Sequence, residues 1–369
     1  MRRSVIVAAR RSAVVPRGGA LADREIHELA APVMRACLGD AGLPAEAVDE
    51  VLLGNALGAG GNPARLSALA AGLPERVAGI SLDRQCCSGL DALLLADALI
   101  VSGQADMVLA GGAESYSRRP IRLRPGEDGA APIAYDRPPF TPWPDRDPDM
   151  AEAAAALAQS LGYDRARQDA WAVSSHEKAC AARDRLAREI VGLPDRDAFS
   201  RRLSPAVCAR ARTISGSVTS ANMAVAADAA AMALVVSEDM ARRAGLAGLA
   251  ILGGVSRGGD PGLPGLAPVA AIRDALAGLS LAPAQLAQAE IMEAFAAQAL
   301  ACVDLAELDA RIVNPRGGAL ARGHPIGASG AILSVRLFHD LCESGGRGLV
   351  AIAAAGGVGT ALVTEWQHA

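Results

Sequence analysis

The chain has 369 residues and a mass of 37.5 kDa, with 51% hydrophobic and 21% charged residues. That suffices for two average domains or one large duplicated one around a substantial core, and it excludes a disordered chain. A net charge of −4, a pI near 5.8 and only 3% aromatics argue against nucleic acid as the main partner.

The mean hydropathy of +0.24 is high, yet the most apolar runs, LDALLLADALIV (90–101) and AVAADAAAMALVV (224–236), carry Asp91, Asp97 and Asp228. Neither reaches the ~18 uninterrupted apolar residues of a membrane span. At the N-terminus, VIVAA (5–9) ends at Arg10 and Arg11, too short a run for a secretory leader. It predicts a buried strand, in a soluble protein of the cytoplasm. A helix-period segment follows at 24–41, then a strand at 50–55 (EVLLGN), a strand ending near Arg84, a helix at 88–102 and a strand at 107–112 (MVLAGG). This alternation predicts a mostly parallel α/β sheet. Residues 118–149 are rich in Pro and Arg with little periodicity; 150–190 are helical in pattern, and a polar stretch runs to about 213. A connection that long predicts a lid, a binding loop or an oligomer contact.

A weak internal repeat organises the rest. PVMRACLGDAGLPAEAVDEVLLGN (32–55) resembles PVAAIRDALAGLSLAPAQLAQAEIMEAF (268–295), CCSGLDALLLADAL (86–99) resembles GASGAILSVRLFHD (327–340), and ADMVLAGGAES (105–115) resembles RGLVAIAAAGGVG (347–359). Three matches in one order suggest a duplicated α/β unit, with two halves packed about a pseudo-two-fold axis.

Seven scattered cysteines with no C-x-x-C argue against a disulfide framework and against a metal site. Cys86 sits at a predicted strand–helix turn, where the positive helix end favours the thiolate and hence a nucleophile. The bland alternative makes Cys86 and Cys87 small buried residues. His324, one of five histidines, lies in NPRGGALARGHPIGASGAI (314–332), whose glycines permit close backbone approach. The repeat places the CCSG and GASG loops equivalently, so a pseudo-two-fold axis brings Cys86 and His324 to one acyl-transfer site. His27, His176, His339 and His368 are expected on helix surfaces or at the terminus.

GAGGNPARLSALAAGLP (58–74), CCSGLDA (86–92), LAGGAESYS (109–117), EAFAAQ (293–298), NPRGGALARGHPIGASGA (314–331) and AGGVG (355–359) together resemble the thiolase family, of the acetyl-CoA acetyltransferase kind, over essentially the whole length. The resemblance implies a five-layered αβαβα fold of two duplicated halves with an inserted loop domain. The expected divisions are 1–117 with 214–245 as the N-terminal half, 118–213 as the loop domain and 246–369 as the C-terminal half. It also implies a homodimer or a dimer of dimers, no permanently bound cofactor, and ping-pong acyl transfer from a coenzyme A thioester. By motif, Cys86 matches the nucleophile and His324 the histidine that activates it. The backbone amides of Cys86 and Ala355 match the oxyanion hole, and Met223, Ala224 and Phe295 fall where the family touches its cofactor-like substrate.

Three departures accompany the match. Met292 stands where the family's Asn-Glu-Ala-Phe has its asparagine, which holds a water in a second oxyanion hole. Ala353 replaces the second catalytic cysteine, which moves the acceptor's α-proton. Asn222-Met223-Ala224-Val225 replaces Asn-Ala-Ser-Gly, and Arg146 aligns with a loop-domain histidine that contacts pantetheine. The first two remove parts of one half-reaction. The expectation is therefore an acyltransferase that loads Cys86 from CoA or an acyl-carrier protein and passes the acyl group on without standard Claisen chemistry. A compensated thiolase or ketosynthase and a non-catalytic subunit are the alternatives. Arg118, Arg119, Arg122 and Arg124 are expected to meet a CoA phosphate or an acidic carrier protein, or to be plain solvated charge. Cys87 is expected to point away from the site.

Overall fold

A computed structural model describes residues 2–58 and 60–369. Strand β1 (Ser4–Arg11) leads to α1 (Ile26–Ala41), β2 (Glu50–Gly54), α2 (Pro63–Ala70), β3 (Ala78–Leu82), α3 (Ser88–Val101) and β4 (Met107–Glu114). A long excursion containing α4 (Met150–Ser160) and α5 (Arg165–Ala181) returns as β5 (Ala227–Ser237). The chain continues through β6 (Gly248–Gly258), α6 (Ala267–Gly278), β7 (Gln288–Ile291), α7 (Ala296–Leu305), α8 (Ser329–Ser344), β8 (Arg347–Ala354) and β9 (Val358–Gln367). Local chemistry sets several of these ends. Helix α1 stops at Gly42, whose φ of +61° suits glycine. Helix α2 starts at Pro63 behind Asn62, whose side chain accepts from the Arg65 N–H.

The strands follow the order β7-β8-β9-β6-β1-β5-β4-β2-β3. Only β7–β8, β4–β2 and β2–β3 are parallel; the other five pairings are antiparallel. The sheet is mixed, which corrects the mostly parallel expectation. The cause is β5, β6 and β9. Strand β5 is buried along its whole length, so its alanine-rich sequence carries no period of two to announce a strand.

The order β2-β4-β5-β1 matches β7-β8-β9-β6, with the same parallel and antiparallel relations at each step. The two sheets join through Val5 opposite Ala250 and Ile6 opposite Leu249. Three core clusters define five layers. Met34 of α1 and Ala68 of α2 pack on Leu53, Leu109 and Met232. Leu93 of α3 and Ile332 of α8 lie between the sheets, against Val108, Val235 and Ile352. Ile272 of α6 and Cys302 of α7 cover Leu349 and Ala361 on the far side. This is the αβαβα sandwich, with α3 and α8 at its centre. Where β8 and β9 are joined by residues 355–357 alone, the equivalent strands β4 and β5 are separated by residues 115–226.

A buried ionic cluster binds this insertion to both halves. Arg11 of β1 meets Glu189 at 2.8 Å and Asp197 at 2.7 Å, and Arg336 of α8 pairs with Glu189 and, at 3.2 Å, with Asp340. Arg316 adds a 2.6 Å contact to Asp340. Burial opposes the charge on Asp340, but the facing arginines outweigh it and hold the carboxyl below its ordinary range. Among the described residues, no helix is long and apolar enough to cross a membrane.

Candidate active site

Strand β3 ends at Leu82, two residues before the expected Arg84, and a tight turn leads into α3. Gln85 adopts φ +50°, an uncommon left-handed conformation for a residue with a Cβ. Ser88 clamps the turn: its Oγ accepts from the Arg84 N–H at 2.8 Å and donates to the Gln85 carbonyl at 2.6 Å. Cys86 consequently faces the cleft between the halves. Cys87 turns the other way, fully buried with its Sγ 3.5 Å from the Ile352 carbonyl.

Opposite stands His324, whose N–H donates to the Val225 carbonyl at 2.7 Å, so the end of the insertion braces it. Its Nε2 lies 3.1 Å from Cys86 Sγ and its Nδ1 2.7 Å from Ser329 Oγ. Ser329 gives its one hydroxyl proton to the Pro325 carbonyl at 3.0 Å. The serine oxygen therefore accepts from Nδ1–H, which leaves the Nε2 lone pair directed at the thiol.

Burial pushes the Cys86 thiol up to about 12, with the Glu114 carboxylate adding to it and the backbone amides of Cys86 and Ala355 opposing it. Burial also pulls His324 down to about 4. The resting pair is a neutral thiol beside a neutral imidazole. Desolvation between the halves outweighs the support that the start of α3 gives the thiolate.

Below the pair lies Glu114, which was legible only as part of a quoted motif. Its carboxylate receives Asn55 Nδ2 (2.7 Å), the Ala56 and Leu57 amides (both 3.1 Å) and the Gly327 amide (2.9 Å). It thus fixes the His324 loop of one half to the β2 loop of the other. Burial lifts its pKa to about 7 despite these donors. The approach is so close that a Cβ on Gly112 would sit 2.0 Å from the Gly327 carbonyl oxygen.

A cavity of about 300 Å³ opens on Cys86 and His324. Its wall includes Met223, Ala224, Phe295, Ala353 and Ala355, together with Met150 and Leu157 of α4. Met292 is not part of that wall; it is 1% exposed within the central core. Arg146 is also elsewhere, 3.3 Å from Asp260 and against the Trp143 ring. Arg118 pairs with Glu25 at 2.8 Å, Arg119 with Asp136 at 2.5 Å, and Arg122 reaches the Ala56 carbonyl at 3.3 Å. His176 is not on a helix surface as expected but buried, accepting from the Arg201 N–H at 3.3 Å.

Residues 4–239 match the family model of the thiolase N-terminal domain, and residues 246–366 that of the C-terminal domain. The chain belongs to the thiolase family. It is an acyltransferase of thiolase type. The probable acetyl-CoA acetyltransferase of Escherichia coli K12 is 40% identical over 99% of each chain. The probable acetyl-CoA acyltransferase of Staphylococcus aureus COL is 36% identical over the same shares. Among solved structures, the Bacillus anthracis acetyl-CoA acetyltransferase superposes with a TM-score of 0.92 at 33% identity, covering 100% of this chain and 99% of that one. The fold is accordingly the thiolase fold. Position 353 on the cavity wall is an alanine.

Proposed function

We propose that this enzyme takes an acyl group from a coenzyme A thioester onto Cys86 and transfers it to an acceptor without standard Claisen chemistry. The observation that carries the first half is the 3.1 Å contact between Cys86 Sγ and a tautomer-fixed His324 Nε2. Sγ attacks the thioester carbonyl carbon while its proton passes to Nε2. The carbonyl oxygen gains negative charge beside the amides of Cys86 and Ala355, which stabilise it. Collapse breaks the bond to the CoA sulfur, which leaves as the thiol with the proton from Nε2. Neither charge needs to exist before substrate arrives.

For the second half, a carbon acceptor needs a base at its α-carbon and a donor at its carbonyl oxygen. Ala353 has no acid–base group, and the Met292 thioether donates nothing and lies in the core. An amine, an alcohol, an already acidic carbon nucleophile or water needs neither group. The donor carrier is CoA or an acyl-carrier protein.

Mass spectrometry of the intact protein with acetyl-CoA tests the loading step, and acetoacetyl-CoA thiolysis tests the restriction. We expect the acyl-enzyme to form and thiolysis to be slow. Ala353→Cys should raise thiolysis, because it returns an acid–base group to the cavity wall, whereas Met292→Asn should add little, because position 292 lies in the core and off that wall. Wild-type thiolysis near an ordinary enzymatic rate of ~10 per second would instead establish the compensated-thiolase reading.

The assembly we propose is a homodimer through β3. Among the described residues this strand pairs only with β2, and Ile80 on it and Leu66 and Leu69 on neighbouring α2 are 42%, 50% and 44% exposed. An open edge beside an apolar patch favours a second copy. Sedimentation should report a dimer or its multiple, and Ile80→Arg with Leu66→Glu should shift it to monomer; a monomeric wild type rejects the interface.

A further inference from the structure

We propose that the acyl group taken up by Cys86 ends in a carboxylate, which an arginine-lined recess beside Tyr116 receives. This rests on the acylation of Cys86 proposed above. Tyr116 lies two residues beyond β4 and lines the catalytic cavity with Cys86 and His324. Its ring also meets two guanidinium groups, Arg119 at 4.9 Å and Arg17 at 5.8 Å from the centroid. Those two arginines, with Arg122, line a second recess that includes Ser117 and Tyr135. The phenol ring thus borders the reacting thiol's cavity and also touches two of the recess's cationic side chains, Arg17 and Arg119.

The recess has positive charge to spare. Among the described residues, the Arg17 guanidinium has no hydrogen-bond or carboxylate partner, and Arg122 reaches only the Ala56 carbonyl at 3.3 Å. Arg119 is paired at 2.5 Å, but with Asp136, whose side chain is 80% exposed. Three guanidinium groups therefore face one solvated carboxylate. Ser117 is already committed. Its Oγ donates to Asp228 at 2.5 Å and accepts the Gly18 N–H at 2.8 Å, and this also ties the Arg17 loop in place. An incoming carboxylate would exchange with Asp136 on Arg119 and reach the free Arg17, a planar fork suited to bidentate capture. The catalytic cavity is apolar at Ile326, Phe140, Met223 and Phe295, which suits the methylenes of a short diacid.

A CoA phosphate offers the same anionic chemistry, so the test must separate the two sources. Acylation of Cys86 is followed by intact-protein mass spectrometry with succinyl-, glutaryl- and adipyl-CoA, and with methyl-ended acyl-CoAs of matching length. The carboxylated donors should load the wild type ~10–100-fold faster, the range of a charge-assisted hydrogen bond. Arg17→Ala with Arg119→Ala should erase that preference while leaving the neutral donors unchanged. Arg17→Glu, at an exposed position that does not threaten folding, should do the same alone. Equal slowing of all donors in these variants would assign the arginines to the CoA phosphate and overturn the proposal. So would faster loading by neutral donors in the wild type, with acylation itself intact. Absence of any adduct on Cys86 with every donor would instead remove the acylation on which the proposal rests.

Discussion

His324→Ala is expected to slow acylation of Cys86 at pH 7 by ~10²–10⁴-fold while shifting the melting temperature by only a few degrees. The histidine sits in a glycine-rich loop, so its removal sacrifices little packing. It does remove the one side-chain acceptor that, among the described residues, lies within hydrogen-bond distance of the thiol. The pH profile distinguishes this role from a structural one. With the thiol pushed to about 12, the variant's thiolate fraction rises tenfold per pH unit across the neutral and alkaline range, and loading should rise with it. The wild type should be flat there, because a base at about 4 is already neutral, and should lose rate only as pH falls toward 4. Ser329→Ala should fall between the two, since the imidazole remains but its tautomer is no longer fixed. Cys86→Ala should give no adduct at any pH, and Cys87→Ala should load nearly as the wild type. A His324→Ala enzyme that melts many degrees lower and loads normally would reverse the assignment.

Arg336→Ala is expected to cost ~1.5–3 kcal/mol of stability, because it takes a buried guanidinium from both Glu189 and Asp340 and leaves them to Arg11 and to Arg316. Denaturant unfolding measures the loss, and adding Glu189→Gln should recover part of it by relieving Arg11 of one of the two carboxylates it then faces, Glu189 and Asp197. The acid dependence has a definite sign. The folded pKa of Asp340 lies below its unfolded value, so its contribution is complete above the unfolded value near 4 and fades as pH falls through the folded one. In Arg336→Ala that acid-dependent loss should shrink. A variant as stable as wild type would mean that water reaches these carboxylates.

The duplicated plan was legible because GASG and CCSG, and the segments around them, keep one order, and matching helices α3 and α8 do lie together at the centre. The strand directions were not. Strand β5 reads as an alanine-rich apolar run because helices cover both of its faces, and burial on both sides erases alternation. Cys86 and His324 could be paired from the repeat, but the height of the thiol's pKa could not, since desolvation depends on how two halves close over one atom. Ser329 and Glu114 stood in quoted motifs without a sign of their roles. Their signal is a hydrogen bond across a turn or between halves, which no spacing encodes.

The separation of β4 from β5 by residues 115–226 also sets a timetable for synthesis. Strand β4 pairs with β5, and β1 is flanked by β5 and β6, so β4 leaves the ribosome lacking one eventual neighbour and β1 lacking both. At ~5–20 residues per second, the intervening stretch takes roughly 6–20 s to translate, long beside the folding of a small domain. For that interval the nascent first half exposes both edges of β1, one edge of β4 and an uncovered apolar face, the features that holding chaperones bind and that drive aggregation. The second half carries no such delay, because its equivalent strands emerge three residues apart.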